Sequence, residues 1–306
     1  MNWLFLSSVL LSSGSAQAER LPQVEMLIRR GQYRLAVTMA SKLMVEQPDN
    51  PDLYAALGIA WAKNTFYADA LGAFSLSMGS SYYEEQGIEA HADALRAFGE
   101  GEAAAALRQE FLVSTQANEG RILRVLLGAA DDLRSVGDFE GAAELIDEAE
   151  SVYPRSPMVH AVRAELLMDV GDLDAADAAL ALMMRQGGTS RGSAALARRA
   201  LLVGDYAAAD EALEAARKFR TPTHRLASLR AEVLRLSGDP HGAADILERN
   251  QWAVLESPEL IQVRLKVYAD MGADASVAHW EHMARTRYMD NPLIQDSLSY
   301  LHEKRP

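Results

Sequence analysis

The sequence predicts an all-α protein built as a solenoid of about eight helix-turn-helix repeats. The first observation is that glycine recurs at a near-fixed step, at Gly31, Gly99, Gly137, Gly171, Gly204, Gly238 and Gly272, with Thr65 in the one missing slot. The successive steps are 34, 34, 38, 34, 33, 34 and 34 residues. The second is that small residues keep fixed offsets from these positions, and the third is that the two-residue alternation of β-strands is absent. A period of this length indicates a repeat array with a long surface and not a compact enzyme domain.

Two columns of small residues flank each turn position. Five residues after it stand Ala36, Ala70, Ala104, Ala142, Ala176, Ala209, Ala243 and Val277. Seven residues before it stand Val24, Gly58, Ala92, Ala130, Ala164, Ala197, Ala231 and Leu265. Small side chains on both sides of a turn let two helix backbones approach closely, so each turn is predicted to join two packed helices.

The turns themselves carry helix stop and start signals. Glycine ends the first helix because it adopts a left-handed conformation without steric strain. In four repeats an aspartate follows the glycine, at Asp138, Asp172, Asp205 and Asp239, and offers an N-cap to the second helix.

This pattern resembles the tetratricopeptide repeat family. The stretches that carry the resemblance are 53–61 (LYAALGIAW), 66–70 (FYADA) with Phe74, and 137–143 (GDFEGAA). The resemblance covers about residues 19 to 291 and implies a right-handed superhelical solenoid. The chain departs from the family pattern at Gly101 and Pro240, where an aromatic residue is usual, at Arg108 and Glu281, where an apolar one is usual, and at Val277, which replaces alanine. A degenerate eighth repeat with a polar face is what a terminal cap requires.

The 38-residue step suggests a division of the array. Four extra residues fall near Asn118 to Ile122, where they either lengthen a loop or lengthen a helix and kink the superhelix. We therefore predict repeats one to three over 19–118, repeats four to eight over 119–291 and a C-terminal capping helix over 292–306.

Residues 1–18 read as a secretory signal peptide. A short apolar run from Leu4 to Leu11 precedes the small-x-small site Ala16-Gln17-Ala18, so cleavage is expected after Ala18. The run is too short to span a bilayer, and its alternative is an N-terminal helix that caps repeat one. The chain has no cysteine, which excludes disulfides and an N-terminal lipid-modified cysteine. A soluble periplasmic protein without stable membrane insertion is expected, or a cytoplasmic one if the segment is not cleaved.

The resemblance places partner segments in a concave groove lined by the first helices. The predicted contact residues are Asp52, Lys63, Glu89, Asp93, Arg96, Arg124, Asp131, Arg134, Glu165, Asp169, Arg198, Arg225, Glu232, Arg235 and Lys266. Several form acid–base pairs at i,i+3, which can meet on one helix face. The groove is thus either self-neutralised or a polar channel for a peptide. Family members that clamp a carboxylate use an Asn six residues before the turn, and no repeat from Thr65 onward has one.

The formal charge of −13 disfavours nucleic acid and anionic membranes as partners. Residues 131–150 are strongly acidic and residues 217–235 strongly basic. These runs either steer charged partners or are ordinary solvated helix faces.

The sequence carries no catalytic motif, and no cofactor is predicted. His279 and His282 share a helix face, but two ligands are too few to predict a metal site. The function predicted is a non-catalytic scaffold or adaptor for other proteins in the bacterial cell envelope, in a secretion, pilus or polysaccharide-export assembly. The alternative is a periplasmic protein that senses or regulates by binding a peptide or glycan. The sequence does not indicate an oligomeric state.

Overall fold

The computed structural model describes residues 20–114, 118–216, 218–219, 224–249 and 256–304. The predicted signal peptide, its cleavage site and Trp252 lie outside these residues. The described part forms two compact units, one up to Ala94 and one from Leu95 onward. This boundary differs from the predicted division at 118/119, which stays a prediction.

The described residues form seventeen α-helices and no strand. The first six are α1 (Arg20–Arg29), α2 (Tyr33–Glu46), α3 (Pro51–Lys63), α4 (Tyr67–Ser75), α5 (Ile88–Ala97) and α6 (Gly101–Ser114), with a π-helical turn (Tyr83–Gly87) before α5. The next six are α7 (Glu119–Ser135), α8 (Phe139–Val152), α9 (Pro157–Asp169), α10 (Leu173–Arg185), α11 (Ser190–Leu202) and α12 (Tyr206–Ala216). The last five are α13 (His224–Leu236), α14 (Pro240–Glu248), α15 (Pro258–Asp270), α16 (Asp274–Arg287) and α17 (Pro292–Lys304). Helices α1 to α16 make eight pairs, which confirms the predicted repeats.

Every predicted turn position has the backbone conformation that the repeat requires. The seven glycines have φ between +68° and +92°. Thr65, at φ +64°, is the only described non-glycine residue with a positive φ. In repeat five, Gly171 ends α9, and the side chain of Asp172 accepts a hydrogen bond from the Ala175 backbone N–H at 3.0 Å. The other three predicted aspartate N-caps make the same bond, at 2.8 to 3.0 Å. Thr65 adopts its turn at a steric cost that glycine avoids.

The two small-residue columns form the packing seam of the array. Each of the eight residues that follow a turn by five positions is fully buried, and all eight that precede it by seven are buried as well. Val277 occupies the alanine slot of repeat eight and is fully buried too. The close helix approach predicted from side-chain size is therefore confirmed.

The extra residues of the 38-residue step lengthen a helix. Helix α7 has 17 residues, whereas α9, α11, α13 and α15, the first helices of repeats five to eight, have 13 each. The Tyr153 hydroxyl donates to the Glu119 carbonyl at 3.1 Å, and the Arg121 guanidinium lies 4.2 Å from the Phe111 ring centre. These contacts hold the added turn at the start of α7.

The departures in repeat three have a common cause. A Cβ at residue 101 would lie 2.4 Å from the Asp132 carbonyl oxygen, so glycine is required there. Arg108 is buried and donates to the Asp132 carboxylate at 2.8 Å, while Gly128 leaves room for the Arg108 guanidinium. The seam between repeats three and four therefore contains an ion pair at two positions that are apolar in most other repeats.

The second unit closes on itself. The Asn291 side chain donates to the Ala97 carbonyl at 3.0 Å, and the rings of Phe98 and Tyr288 lie 5.2 Å apart. A Cβ at Gly99 would lie 2.5 Å from the Asp290 carbonyl oxygen. The first turn of this unit thus meets the turn between α16 and α17, and we call this the closing contact.

Candidate binding surface on the first helices

Seven charged side chains converge on the face shared by α7, α9, α11 and α13. We call them the inner cluster, and its members are Asp131, Arg134, Glu165, Asp169, Arg191, Arg198 and Arg225. They come from the first helices of four successive repeats, which pack side by side. The repeat therefore stacks equivalent helix positions and brings distant residues within hydrogen-bond distance.

Arg134 ties repeat four to repeat five. Its guanidinium donates to Asp131 at 2.7 Å on its own helix, and to Glu165 at 3.0 Å and Asp169 at 2.7 Å on α9. Asp169 also accepts from Arg198 of α11 at 2.5 Å. The cluster thus continues through repeat six.

Two arginines span two repeats each. Arg191 of α11 reaches back to α7, where its two terminal nitrogens donate to the Asp131 carboxylate at 2.6 and 2.5 Å. Arg191 also donates to Glu165 at 2.6 Å, and Arg225 of α13 reaches Glu165 at 2.8 Å. The first helices two repeats apart are therefore close enough for one side chain to bridge.

The carboxylates of the cluster are held in the charged form. Burial acts to raise the pKa of Glu165, but Arg191, Arg225 and Arg134 overcome it and lower that pKa well below its ordinary value. Burial likewise opposes ionisation of Asp131, and Arg191 and Arg134 depress its pKa strongly. The same carboxylates outweigh desolvation and raise the pKa of Arg191. Carboxylates held ionised in this way are unsuited to proton transfer near neutral pH.

Four arginines face three carboxylates, so the inner cluster has a formal charge of +1 in a chain of −13. Glu165 is fully buried, whereas the side chains of Arg198 and Arg225 are 30% and 38% exposed. Each guanidinium carries five N–H donors in a planar fork. The exposed arms of Arg198 and Arg225 are therefore the part of the cluster that an incoming group can reach.

The other predicted groove residues form smaller groups. Arg96 donates to Asp132 at 3.0 Å, beside the Arg108 pair. At the other end, Arg235 pairs with Glu232 at 2.7 Å and with Asp270 at 2.8 Å, and Lys266 pairs with Asp296 at 2.7 Å. The Tyr300 hydroxyl donates to Asp270 at 2.6 Å, and Lys304 lies 3.2 Å from the same carboxylate. We call Glu232, Arg235, Asp270, Tyr300 and Lys304 the C-terminal cluster.

The remaining predicted residues lie apart from these groups. In the first unit, Lys63 is 3.5 Å from Asp93, and the Asp52 carboxylate accepts from the Tyr82 backbone N–H at 3.3 Å. Glu89 is half-buried on α5. Arg124 is exposed and donates to the Gly120 carbonyl of its own helix at 3.2 Å. Partner binding by any of the predicted groove residues stays a prediction.

The described arginines of the basic run, residues 217–235, form ion pairs within the protein. Within the basic run, Arg225 pairs with Glu165, Arg230 with Glu214 at 2.5 Å, and Arg235 with Glu232. Arg217 and Arg220 lie outside the described residues. Pairing of these cations makes long-range steering by this run weaker than its sequence indicates.

Known structures match the chain along most of its length. A tetratricopeptide repeat protein from Parabacteroides merdae matches 94% of this chain and 99% of its own, with a TM-score of 0.51 and 14% identity. A Rap protein complexed with competence and sporulation factor matches 95% of this chain and 91% of its own, with a TM-score of 0.56 and 14% identity. The APC/C hetero-tetramer Cut9–Hcn1 contains a chain that matches 89% of this one over 53% of its length, with a TM-score of 0.54 and 14% identity. The chain has the fold of the tetratricopeptide repeat proteins.

No model of a protein family matches the sequence, and no curated protein matches it significantly. The likeness is therefore one of fold. Within this tetratricopeptide fold the inner cluster lies on the first helices, the elements on which the sequence placed the groove. In the described residues, no helix is long and apolar enough to cross a membrane.

Sequence reasoning missed Arg191, a central member of the cluster. Arg124, Arg191 and Arg225 all stand thirteen residues before their turn positions, and only the first and third were predicted to line the groove. The shared offset was therefore a usable signal. Asp132 was missed because it is not one of the predicted groove residues of α7: its side chain is buried and faces Arg108.

A cavity lies between repeats six and seven. Its volume is about 520 Å³, and it is lined by residues of α12, α13 and α14, among them Tyr206, Asp210 and Arg230, and by Arg249, which directly follows α14. Pro240 stands at the start of α14, where five of the other repeats have a tyrosine, phenylalanine or leucine. His279 and His282 are exposed on α16, and the described residues contain no cluster of three or more potential metal ligands.

Proposed function

We propose that the protein is a non-catalytic scaffold that holds segments of partner proteins against the first-helix face of its second unit. The observation that carries the proposal is the inner cluster. Its ion pairs fix four successive helices relative to one another, so the face is ordered before a partner arrives. Binding to a preorganised surface costs little conformational entropy.

The exposed arms of Arg198 and Arg225 supply the recognition chemistry. Their N–H groups can donate to backbone carbonyls or carboxylates of an extended segment laid along α9, α11 and α13. Arg124 and Lys266 lie on the first helices at either side of this stretch and extend the proposed contact surface. The acids Asp131, Glu165 and Asp169 are neutralised by their arginines, so they do not repel an incoming carboxylate.

We propose the bacterial cell envelope as the setting, in a secretion, pilus or polysaccharide-export assembly. The support is the apolar run and small-x-small site at residues 4–18, which are typical of an exported protein. The intact mass of the protein recovered from its host tests this part, because cleavage after Ala18 predicts a chain that begins at Glu19. A chain that retains Met1 in the cytoplasm would overturn the envelope setting and leave the binding proposal intact.

Site-specific photo-crosslinking in the host tests the binding proposal. A photoreactive residue replaces Arg198 on the first-helix face, and the matched control replaces Glu148, which is exposed on the second helix α8. Both positions tolerate a bulky group at their exposed ends, and a thermal melt checks that each variant remains folded. We expect one dominant protein adduct from position 198 that is absent from position 148. Equal capture at positions 198 and 148 would refute binding on this face. Absence of a protein adduct both at 198 and in a second variant with the photoreactive residue at the exposed Arg124 would refute it as well.

A further inference from the structure

Four consecutive turns of the second unit have a Gly-Asp pair, and in the first three of them a valine precedes the glycine. Val-Gly-Asp occurs at 136–138, 170–172 and 203–205, and Ser-Gly-Asp at 237–239. Val136, Val170 and Val203 are 36%, 50% and 56% exposed. A single exposed valine requires no explanation, but the same exposed side chain at three neighbouring turns forms a column.

The fold does not require valine in this slot. The equivalent position, one residue before the turn, holds Arg30 in repeat one and Ser237 in repeat seven, and the turn still forms. The valines therefore add an exposed apolar column that the turn geometry does not need. Leu202 and Leu236, both exposed, extend the column at repeats six and seven.

The four turns lie along one edge of the second unit. Helices α7, α9, α11 and α13 pack side by side, and each ends at its own turn. We call residues 136–140, 170–174, 203–207 and 237–241 the turn edge. It is distinct from the inner cluster, whose partly exposed arms project from the helices and not from the turns.

The charge of the turn edge is of one sign. These segments contain six acids and no lysine or arginine; the acids are Asp138, Glu140, Asp172, Asp174, Asp205 and Asp239. All six are exposed. Anionic lipid, nucleic acid and the same edge of a second copy would each bring negative charge against negative charge.

We propose that the turn edge is a second interaction surface, which binds a partner-protein segment that alternates basic and apolar side chains. The apolar side chains of that segment cover the valine column, and its lysines or arginines meet the aspartates that border it. This surface is independent of the proposed first-helix binding face, and together the two would let the protein hold two segments at once.

Fluorescence anisotropy with a defined probe tests the proposal on the full chain. The probe is a labelled synthetic peptide of alternating lysine and leucine, with a glutamate–leucine peptide and a lysine–serine peptide as controls. The first variant is Val170→Ser with Val203→Ser, which places in both slots the residue that repeat seven already carries as Ser237. Its matched control is Val113→Ser with Val152→Ser, two exposed valines away from the turn edge.

A charge variant measures the electrostatic contribution to peptide binding separately from the apolar one. Asp172→Asn with Asp205→Asn removes two charges and keeps the N-caps, because asparagine caps helices as well as aspartate. We expect the valine pair to weaken lysine–leucine binding about tenfold, and the aspartate pair to weaken it several-fold at low salt with a smaller salt dependence. The control pair is expected to leave the affinity within about twofold, since surface changes away from the contact have small effects.

Failure to bind the lysine–leucine peptide at low salt would overturn the proposal. Equal weakening by the edge and control variants would overturn it as well. In the host, a photoreactive residue at Val170 should capture a basic and apolar segment of another protein, and capture of lipid or of a second copy would refute this occupant. Because crosslinks from Arg198 report on the first-helix face and those from Val170 on the turn edge, failure of one proposal is distinguishable from failure of the other.

Discussion

The inner cluster and the C-terminal cluster occupy equivalent repeat positions, but only the inner cluster contains a fully buried carboxylate, that of Glu165. Arg134 and Arg235 each stand three residues before a turn and pair with an acid six before it, Asp131 or Glu232. Each also pairs with an aspartate two before the next turn, Asp169 or Asp270. At the sixth position before that turn, however, the inner cluster has Glu165 and the C-terminal one has Lys266.

The difference shows how one carboxylate of the first-helix face becomes buried. Glu165 is fully buried because Arg191 and Arg225 cover it from later repeats. In the C-terminal cluster, Lys304 reaches Asp270 from an exposed position on α17, and no described arginine bridges back two repeats to Glu232. The identical residues at equivalent offsets are about equally exposed, 12% and 9% for Arg134 and Arg235 and 17% and 19% for Asp169 and Asp270, so the buried Glu165 is what sets the inner cluster apart.

The largest expected effect comes from neutralising the buried carboxylate. Glu165→Gln removes one charged acceptor each from Arg134, Arg191 and Arg225, and we expect it to lower the free energy of unfolding by about 3 kcal/mol. Glu232→Gln, six before its own turn and 19% exposed, is expected to cost about 1 kcal/mol or less. Urea unfolding followed by circular dichroism measures both, and equal losses would show that burial does not separate the two clusters.

An intermediate effect is expected at the closing contact, next to α17 and its C-terminal cluster residues. Gly99 and Gly137 have φ of +87° and +83°, but only Gly99 has a backbone oxygen where a Cβ would lie. Gly137→Ala should cost about 1 kcal/mol through backbone strain alone. Gly99→Ala should cost about 1 to 3 kcal/mol more, since overpacking adds to the strain. Thermal melts compare the two variants, and equal shifts would show that the closing contact contributes nothing.

The smallest expected effects are opposite pH dependences of the two clusters. Because the pKa values of Asp131 and Glu165 are depressed on folding, their stabilisation is complete above the unfolded carboxyl pKa near 4 and is lost as the pH falls through the folded values. Burial and the bond to Asp270 raise the pKa of Tyr300, so its contribution is present below about pH 10 and is lost as the pH rises through the folded value. As the pH falls below about 4, the melting temperature of Glu165→Gln should drop less steeply than that of the unaltered protein. As the pH rises above about 10, the melting temperature of Tyr300→Phe, which retains the ring, should drop less steeply than that of the unaltered protein. Unchanged slopes in these variants would contradict the assignment.

The sequence predicted the turns and the packing seam because both requirements are local. A left-handed residue and small side chains on either side follow from the geometry of one helical hairpin, and the eight turn positions have that geometry. Six members of the seven-residue inner cluster were predicted as groove residues, but only Asp131 and Arg134 were predicted to contact each other, as an i,i+3 pair. Its bridges join residues 60 positions apart, and such contacts depend on how the first helices of successive repeats are spaced.

Departures from the repeat pattern had a similar non-local cause. Gly101 and Arg108 look degenerate in their own repeat, but each is fitted to Asp132 of the next. A single repeat does not contain both partners, so the consensus cannot reveal the match. A search for paired departures in adjacent repeats would have indicated the contact with Asp132.

The closing contact also bears on cooperativity and on repeat number. An open solenoid can fray from either end, because each repeat depends only on its neighbours. Here Asn291 and Ala97 join positions 194 residues apart, so the terminal helices of the second unit are anchored to each other. Such a contact raises the contact order and favours loss of structure in one step over unravelling from an end. Insertion or deletion of a whole repeat between these positions would break the contact between the two turns. The number of repeats in this unit is therefore fixed, whereas an open array can gain or lose repeats.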